Sequence, residues 1–319
     1  VRALLAERCA ERGVIRIAFF GLPLAACLLS NDGFEPSLAV LSPLVAPGRR
    51  RVVNRLGERV VDAFERDPGE VHREIDARIT ALRPDLVVSW YWTRRIEKRW
   101  LDAARLGGIG AHPSLLPRHR GPNPFFWAID SGDAETGVTV HRLTERYDEG
   151  DVLLQERLVV GERNAWQLAR ALDRPSLRLL RRAVRLFSEG RPPESAPQDE
   201  ARATWAPEPS GDALRVDFRW PTGRVLRRIR ALAPVPGVAL EIRGVRVFVT
   251  AAERAASFPK VLVAGEAALT DAGVVVRTSD GAVLLTRAVL ADDGSEADEP
   301  PALGARALAE YVERAGVRP

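Results

Sequence analysis

Residues 14–41 read VIRIAFFGLPLAACLLSNDGFEPSLAVL. Val14–Phe20 is an apolar run interrupted only by Arg16, the pattern of a strand covered on both faces. Gly21-Leu-Pro23 turns the chain into a helix expected over Leu24–Ser30, which stops at Asn31-Asp-Gly33; Phe34–Leu41 then forms a second strand. A strand–helix–strand opening implies a parallel sheet. The turn after the first strand holds one glycine, Gly21. A dinucleotide site needs several, so that backbone amides can approach a pyrophosphate, and this argues against NAD.

A chain of 319 residues has room for about two domains, each with its own core. Its hydrophobic share of 46% and charged share of 28% are those of globular proteins, which excludes gross disorder and collagen-like structure. Cys9 and Cys27 make no disulfide framework, so a reducing cytoplasm is expected. No apolar run is long enough to span a bilayer, and the N-terminus lacks the basic-then-apolar order of a signal peptide. The net charge of +4, dominated by arginine, is compatible with a phosphate-bearing partner. No His/Cys cluster has ligand spacing, so no metal is expected.

Residues 1–13 read as a short helical N-terminal extension. Further along, Glu70–Leu82 places Val71, Ile75, Ile79 and Leu82 at helical spacing. Asp85–Trp90 is the next buried strand, and ligands of open parallel sheets dock beyond strand C-termini, where Ser89, Trp90, Tyr91 and Trp92 stand. Leu101–Arg105 closes a further helix. The stretch 107–155, GGIGAHPSLLPRHRGPNPFFWAIDSGDAETGVTVHRLTERYDEGDVLLQ, carries the chemistry. Ile109-Gly-Ala111 ends a strand at His112, and Pro113 and Pro117 restrict the backbone behind it. A helix is expected over Asn123–Ser131, a strand over Thr136–Leu143, and its antiparallel partner over Asp151–Leu158. Thr144–Gly150 between those strands is longer than a hairpin needs and contains Asp148. His112 and Asp148 form a plausible proton-transfer pair. His72, His119 and His141 read as structural.

The order H-x-S-L-L-P-x-x-R-G, then T-G-V-T, then D-x-G-D resembles the signature of formyltransferases that use 10-formyltetrahydrofolate. The resemblance extends over nearly the whole chain and is strongest to methionyl-tRNA formyltransferases. Phe125-Phe-Trp127 and Val140-His-Arg142 look more like sugar-amine formyltransferases. The resemblance implies a Rossmann-like, mostly parallel α/β domain followed by a small OB-like open β-barrel. It implies transfer of a formyl group to an acceptor amine through a tetrahedral intermediate, the acceptor being tRNA or a nucleotide-linked sugar. The catalytic histidine falls on His112 and the catalytic aspartate on Asp148, which would hold the imidazole charged. The family's N-x-H asparagine, a donor to the oxyanion, falls on Gly110, so that side chain is missing; Ser114 and Asn123 are candidate substitutes. Trp90, Tyr91, Trp92, Leu116, Pro117, Glu149 and Gly150 are implied at the folate, and Arg49, Arg50, Arg120 and Asn123 at the acceptor. Losing one oxyanion donor costs about 10²–10³ in turnover, so a catalytically impaired folate- or RNA-binding relative is the alternative from another class.

The first domain is placed at 14–190 and a Pro-rich linker at 191–210, with the second domain over 211–319. Ala203-Thr-Trp-Ala-Pro207 resembles the segment that opens the second domain of tRNA formyltransferases. There a helix is expected over Thr222–Ala231. Short strands follow over Val238–Ile242, Val245–Ala251, Lys260–Val263, Val274–Thr278 and Ala282–Val289, the spacing of a small barrel. The run 292–301 is acidic, and Leu303–Ala315 closes with a helix.

Overall fold

The structure, a computed structural model, describes residues 15–290 and 302–315. The expected N-terminal helix, Cys9 and the acidic run 292–301 lie outside the described residues. Packing divides the chain into two compact units. The first comprises the chain up to Pro122 with Thr136–Leu158 and Ala171–Ala206; the second comprises Asn123–Glu135, Val159–Arg170 and the chain from Pro207. The units therefore interleave along the sequence.

The first unit is built on seven strands: Ile17–Gly21 (β1), Leu38–Leu41 (β2), Val60–Asp62 (β3), Leu86–Trp90 (β4), Gly108–His112 (β5), Glu135–Arg142 (β6) and Val152–Val159 (β7). Their order is β3-β2-β1-β4-β5-β6-β7. β1 to β5 pair in parallel, and β6 runs antiparallel to β5. This is the Rossmann-like, mostly parallel sheet expected from the apolar runs. β1, β2 and β4 are buried at every position. One face packs Ala18, Phe20, Val40 and Val87 against Val71, Ile75 and Ile79 of the helix Pro68–Leu82 and Trp100 and Leu101 of the helix Lys98–Asp102. That burial is the main source of stability, at about 25 cal/mol per Å² of apolar surface.

Gly21 is required where it stands. Its φ is +140°, and a Cβ there would lie 1.8 Å from the Trp90 carbonyl oxygen, which accepts the Leu22 N–H at 3.0 Å. The second strand is shorter than expected. Phe34 N–H bonds back to the Leu29 carbonyl at 2.9 Å across Gly33 at φ +88°, the Schellman closure of the preceding helix, and Pro36 has no N–H to offer a ladder. The helix expected over Leu101–Arg105 is Lys98–Asp102. Beyond it Leu106 N–H bonds to the Asp85 carbonyl at 2.7 Å and Gly107 N–H to the Ala104 carbonyl at 2.9 Å, bonds that end a helix.

In the second unit the strands Val238–Ile242 (β8), Val245–Arg254 (β9), Ala267–Thr270 (β10), Gly273–Arg277 (β11), Ala282–Leu290 (β12) and Ala302–Gly304 (β13) form one antiparallel sheet. Its order is β10-β11-β12-β9-β8, with β13 on β12. An irregular register between Leu285 and Ala288 bends the β12–β9 ladder, and the sheet curls into a half-open barrel. The strand expected at Lys260–Val263 is a loop: Leu262 N–H turns back to Pro259, Glu266 accepts the Val263 N–H, and Val261 is 88% exposed. Ala267–Thr270 takes its place in the sheet. The closing helix starts at Ala305, because Ala302–Gly304 pairs with β12.

Arg228 of the helix Thr222–Leu232 is buried in this unit. It pairs with Asp130 at 2.6 and 2.8 Å and donates to the carbonyls of Asp212, Ala213 and Arg215. Removing one partner of such a pair strands a buried charge. Arg228→Met is expected to destabilise the chain by about 3–5 kcal/mol in urea unfolding, and a loss under about 1 kcal/mol, the ceiling for an exposed pair, would contradict this.

Candidate active site

Alternation along β5 puts Gly108, Gly110 and His112 on one face of the sheet. The β5–β6 register sets His141 opposite Gly110 and Thr139 opposite His112, and Leu143 N–H bonds to the Gly108 carbonyl at 3.0 Å. Thr139, His141 and Leu143 thus share that face. The loop after β6 returns Asp148 to it with φ +57°, a left-handed conformation that Asp tolerates better than most residues.

Asp148 stands between two imidazoles. Its Oδ2 is 3.4 Å from His112 Nδ1 and accepts the Gly121 N–H at 2.9 Å; its Oδ1 is 3.5 Å from His141 Nε2. The His112 Nε2 lies 2.8 Å from the His119 carbonyl oxygen. A carbonyl only accepts, so Nε2 carries the hydrogen and Nδ1 faces the carboxylate. Gln198 Nε2 donates to the carbonyls of Asp148 and Gly150, each at 2.7 Å. Burial by itself would raise the Asp148 carboxyl; the charge of His112, the hydrogen bond from His141 and the Gly121 N–H together hold it well below the usual carboxylate range. For His112 the balance is reversed: burial pushes the imidazole down, and Asp148 offsets only part of that shift. Burial and the Asp148 carboxylate thus act on His112 in opposite directions, and both of its ring nitrogens face acceptors, the His119 carbonyl and Asp148 Oδ2.

The other expected site residues are distributed as follows. Gly110 faces Leu143 and His141: a Cβ there would lie 2.8 Å from Leu143 Cδ2 and 3.6 Å from His141 Nε2. Ser114 Oγ donates to the Arg118 carbonyl at 2.6 Å, so its hydroxyl is already used. Asn123 belongs to the second unit, where it caps the helix Pro124–Asp130 and donates to Glu208. Trp90 donates to Ser176 Oγ at 2.8 Å, Tyr91 packs on the Trp90 ring, and Trp92 packs edge-on against Phe20. Leu116 and Pro117 turn beneath Thr139 and Thr204. Glu149 lies 3.5 Å from Arg146, and a Cβ on Gly150 would strike the Arg142 carbonyl. Arg49 is tied to Asp62 and to the carbonyls of Ser42 and Leu44. Arg120 is held by Gln198 and Glu200. Arg50 is exposed.

A cavity of about 530 Å³ opens at the start of β5, lined among others by Leu101, Gly108, Leu143, Thr144 and Glu145. His112, His141, Asp148, Trp90, Tyr91 and Trp92 are not among its lining residues. Sequence reasoning missed His141 and Gln198. Alternation from Thr139 would have placed His141 on the face of His112. Gln198 sits in a Pro-rich stretch and left no signal.

An imidazole–carboxylate pair at the end of a parallel strand is an arrangement that can move protons, and comparison with known proteins gives the class. The profile of the formyl transferase family matches residues 47–183, and that of the formyl transferase C-terminal domain matches residues 211–295. The chain belongs to the formyltransferase family. It is 32% identical over 283 residues to a methionyl-tRNA formyltransferase of Halorhodospira halophila, covering 85% of this chain and 90% of that protein. It is 33% identical over 281 residues to that of Syntrophus aciditrophicus, covering 85% and 90%. The fold is shared with HypX from Aquifex aeolicus, solved with tetrahydrofolic acid, at TM-score 0.60 and 23% identity over 91% of this chain; this chain spans 46% of HypX. It is shared too with the N-formyltransferase from Helicobacter canadensis, solved with folinic acid and dTDP-3-aminofucose, at TM-score 0.64 and 13% identity, covering 85% of this chain and 98% of that one.

The lowered His112 value has a consequence for stability. Below its ordinary value of 6.5 the unfolded chain takes up a proton that the folded site refuses. Stability is therefore full above about pH 6.5 and falls as pH drops towards the lower folded value, with a slope of at most about 1.4 kcal/mol per pH unit. Asp148 contributes no slope in this window, because both its folded and its ordinary value of 3.8 lie below it. His112→Asn should flatten the slope in urea unfolding between pH 5 and 6.5 (roughly the histidine range). An unchanged slope would show that His112 is not the titrating group.

Proposed function

We propose that this chain transfers the formyl group of 10-formyltetrahydrofolate to an acceptor amine, and that the acceptor is the amino group of methionyl-tRNA. The observation that carries the reading is the His112–Asp148 pair, 3.4 Å apart, at the C-terminal end of β5, the edge of a parallel sheet where ligands dock. The acceptor follows from relatives that match this chain through both domains. We place the reaction in the cytoplasm.

The residues divide the work as follows. The amine nitrogen attacks the formyl carbon, and negative charge develops on the formyl oxygen. His112 stabilises that charge or donates a proton to it, while Asp148, 3.4 Å away, supports the charged imidazole and helps remove the amine proton. The tetrahedral intermediate then collapses with loss of N10 of the folate, and the proton on His112 is available to the leaving nitrogen.

The reading is tested by calorimetric titration with a non-hydrolysable 10-formyltetrahydrofolate analogue, followed by an acceptor competition. Binding is expected, and Asp148→Ala should weaken it at least about tenfold, or ~1.4 kcal/mol. Formylation of methionyl-tRNA should exceed that of nucleotide-linked amino sugars. Preference for the sugars would move the acceptor assignment, binding without transfer to either would make this an impaired relative, and no binding would remove the formyl-transfer reading.

A further inference from the structure

Asp148 Oδ2 lies 3.4 Å from His112 Nδ1, a distance that holds only if the backbone carrying Asp148 is fixed. That backbone is a loop. Residues 144–147 are exposed, and Asp148 itself has a left-handed φ of +57°. Such a conformation costs free energy in a residue with a side chain and persists where the surroundings enforce it. Here the enforcing side chain comes from 50 residues further along the chain.

The half-buried Gln198 uses every hydrogen-bonding position of its carboxamide. Its two Nε2 hydrogens go to the carbonyls of Asp148 and Gly150, each at 2.7 Å. Its Oε1 accepts twice from Arg120, at 3.0 Å from Nε and at 2.9 Å from a terminal nitrogen. Donors on one side and carbonyls on the other leave one orientation for the amide. Arg120 is buried and is anchored in turn by Glu200 at 2.7 and 3.0 Å. It also precedes Gly121, whose N–H reaches Asp148 Oδ2 at 2.9 Å. Main chain and carboxylate of Asp148 are thus tied to one clamp, a closed ring of bonds through segments 120–121, 148–150 and 198–200, all in the first unit. Fastening the segment 196–206 does not require it. Backbone bonds already join that segment to Val152 at Ala196 and to Arg120 at Thr204 and Ala206.

We propose that Gln198 is a positioning residue for the transfer reaction: its carboxamide, aimed by Arg120, holds the loop backbone so that the Asp148 carboxylate stands against His112. It acts through Asp148 and not on the reacting atoms. A displacement of about 1 Å from productive geometry can cost 10²-fold in rate. The charge of Asp148 raises the His112 imidazole, whereas burial and the neighbouring His141 and His119 lower it. Releasing the loop therefore moves the His112 titration down. The effect on turnover rests on the formyl-transfer reading; the effect on His112 does not.

The test uses the full chain. Gln198→Leu removes the clamp at nearly constant volume, and Gln198→Glu keeps the acceptor for Arg120 but removes both donors to the loop. Each should lower kcat by about 10–10²-fold with 10-formyltetrahydrofolate and the acceptor that wild type uses. In an Asp148→Asn background Gln198→Leu should cost less than about twofold more, because residues that act as one unit are not additive. The His112 ring resonance, followed against pH by NMR without substrate, should titrate lower in Gln198→Leu than in wild type, the direction in which Asp148→Asn moves it. Ser195→Ala, which removes a 2.6 Å bond to Asp151 from just before the segment, should leave both readouts at wild type. The proposal is overturned if Gln198→Glu turns over like wild type, or if Gln198→Leu costs as much without the Asp148 carboxylate as with it. An unmoved His112 titration, or the same effects from Ser195→Ala, would overturn it as well. A wild type that neither binds the donor nor transfers would instead remove the formyl-transfer reading, and the His112 titration would still decide the role of Gln198.

Discussion

A carboxylate largely withdrawn from water is tolerable only if its lone pairs are satisfied, and several elements of the first unit meet that demand for Asp148. β5 brings His112, β6 brings His141, and the turn at Gly121 brings a backbone N–H. The loop that carries Asp148 is itself held from outside the ladder, since Gln198 bonds the carbonyls on either side of Glu149. Gly121 is held in the same way. Arg120 exchanges backbone hydrogen bonds with Thr204 and Ala206, and the Trp205 ring lies against Gly121. The segment 196–206 is thus a brace for Asp148 and lies within the first unit. Chemistry and stability share these contacts, so a change in the brace acts on both.

How much of this was legible in the sequence follows from which interactions are local. The parallel sheet was legible because β1, β2 and β4 are buried on both faces and therefore read as unbroken apolar runs. His112 and Asp148 were legible because ordered proline and glycine turns flank them. The errors fall where long-range contacts decide. Phe34–Ser37 looks like a strand but is claimed by a helix cap. Lys260–Val263 has strand composition but no neighbour to pair with. The effect of burial on His112, which opposes that of Asp148, was not legible, because burial is not written in the local sequence. His141 was dismissed as a lone histidine, although strand alternation already put it on the face of Thr139.

The arginines show a second limit on counting. Their abundance suggested phosphate recognition, yet several of those described are consumed internally. Arg49 closes its loop on Asp62 and two carbonyls, Arg120 is clamped by Gln198 and Glu200, and Arg228 holds the inside of the second unit. Each planar guanidinium serves several acceptors at once through a fixed fork of donors that lysine does not offer. An excess of arginine here is therefore partly a structural device, and net charge overstates the charge presented to an acceptor.

The glycines of β5 carry the last step. Gly108 and Gly110 lie on the face of His112, and the volume above them is taken by Leu101, Leu143 and the edge of His141. A strand that ends at His112 thus has its floor lined from neighbouring elements instead of from its own side chains. Leu101 of the helix Lys98–Asp102 and Leu143 just after β6 supply the apolar cover, and the polar group nearest position 110 comes from across the ladder. A signature read along one strand registers only the missing side chain at 110, whereas the pairing of Gly110 with His141 shows which residue of β6 stands over it.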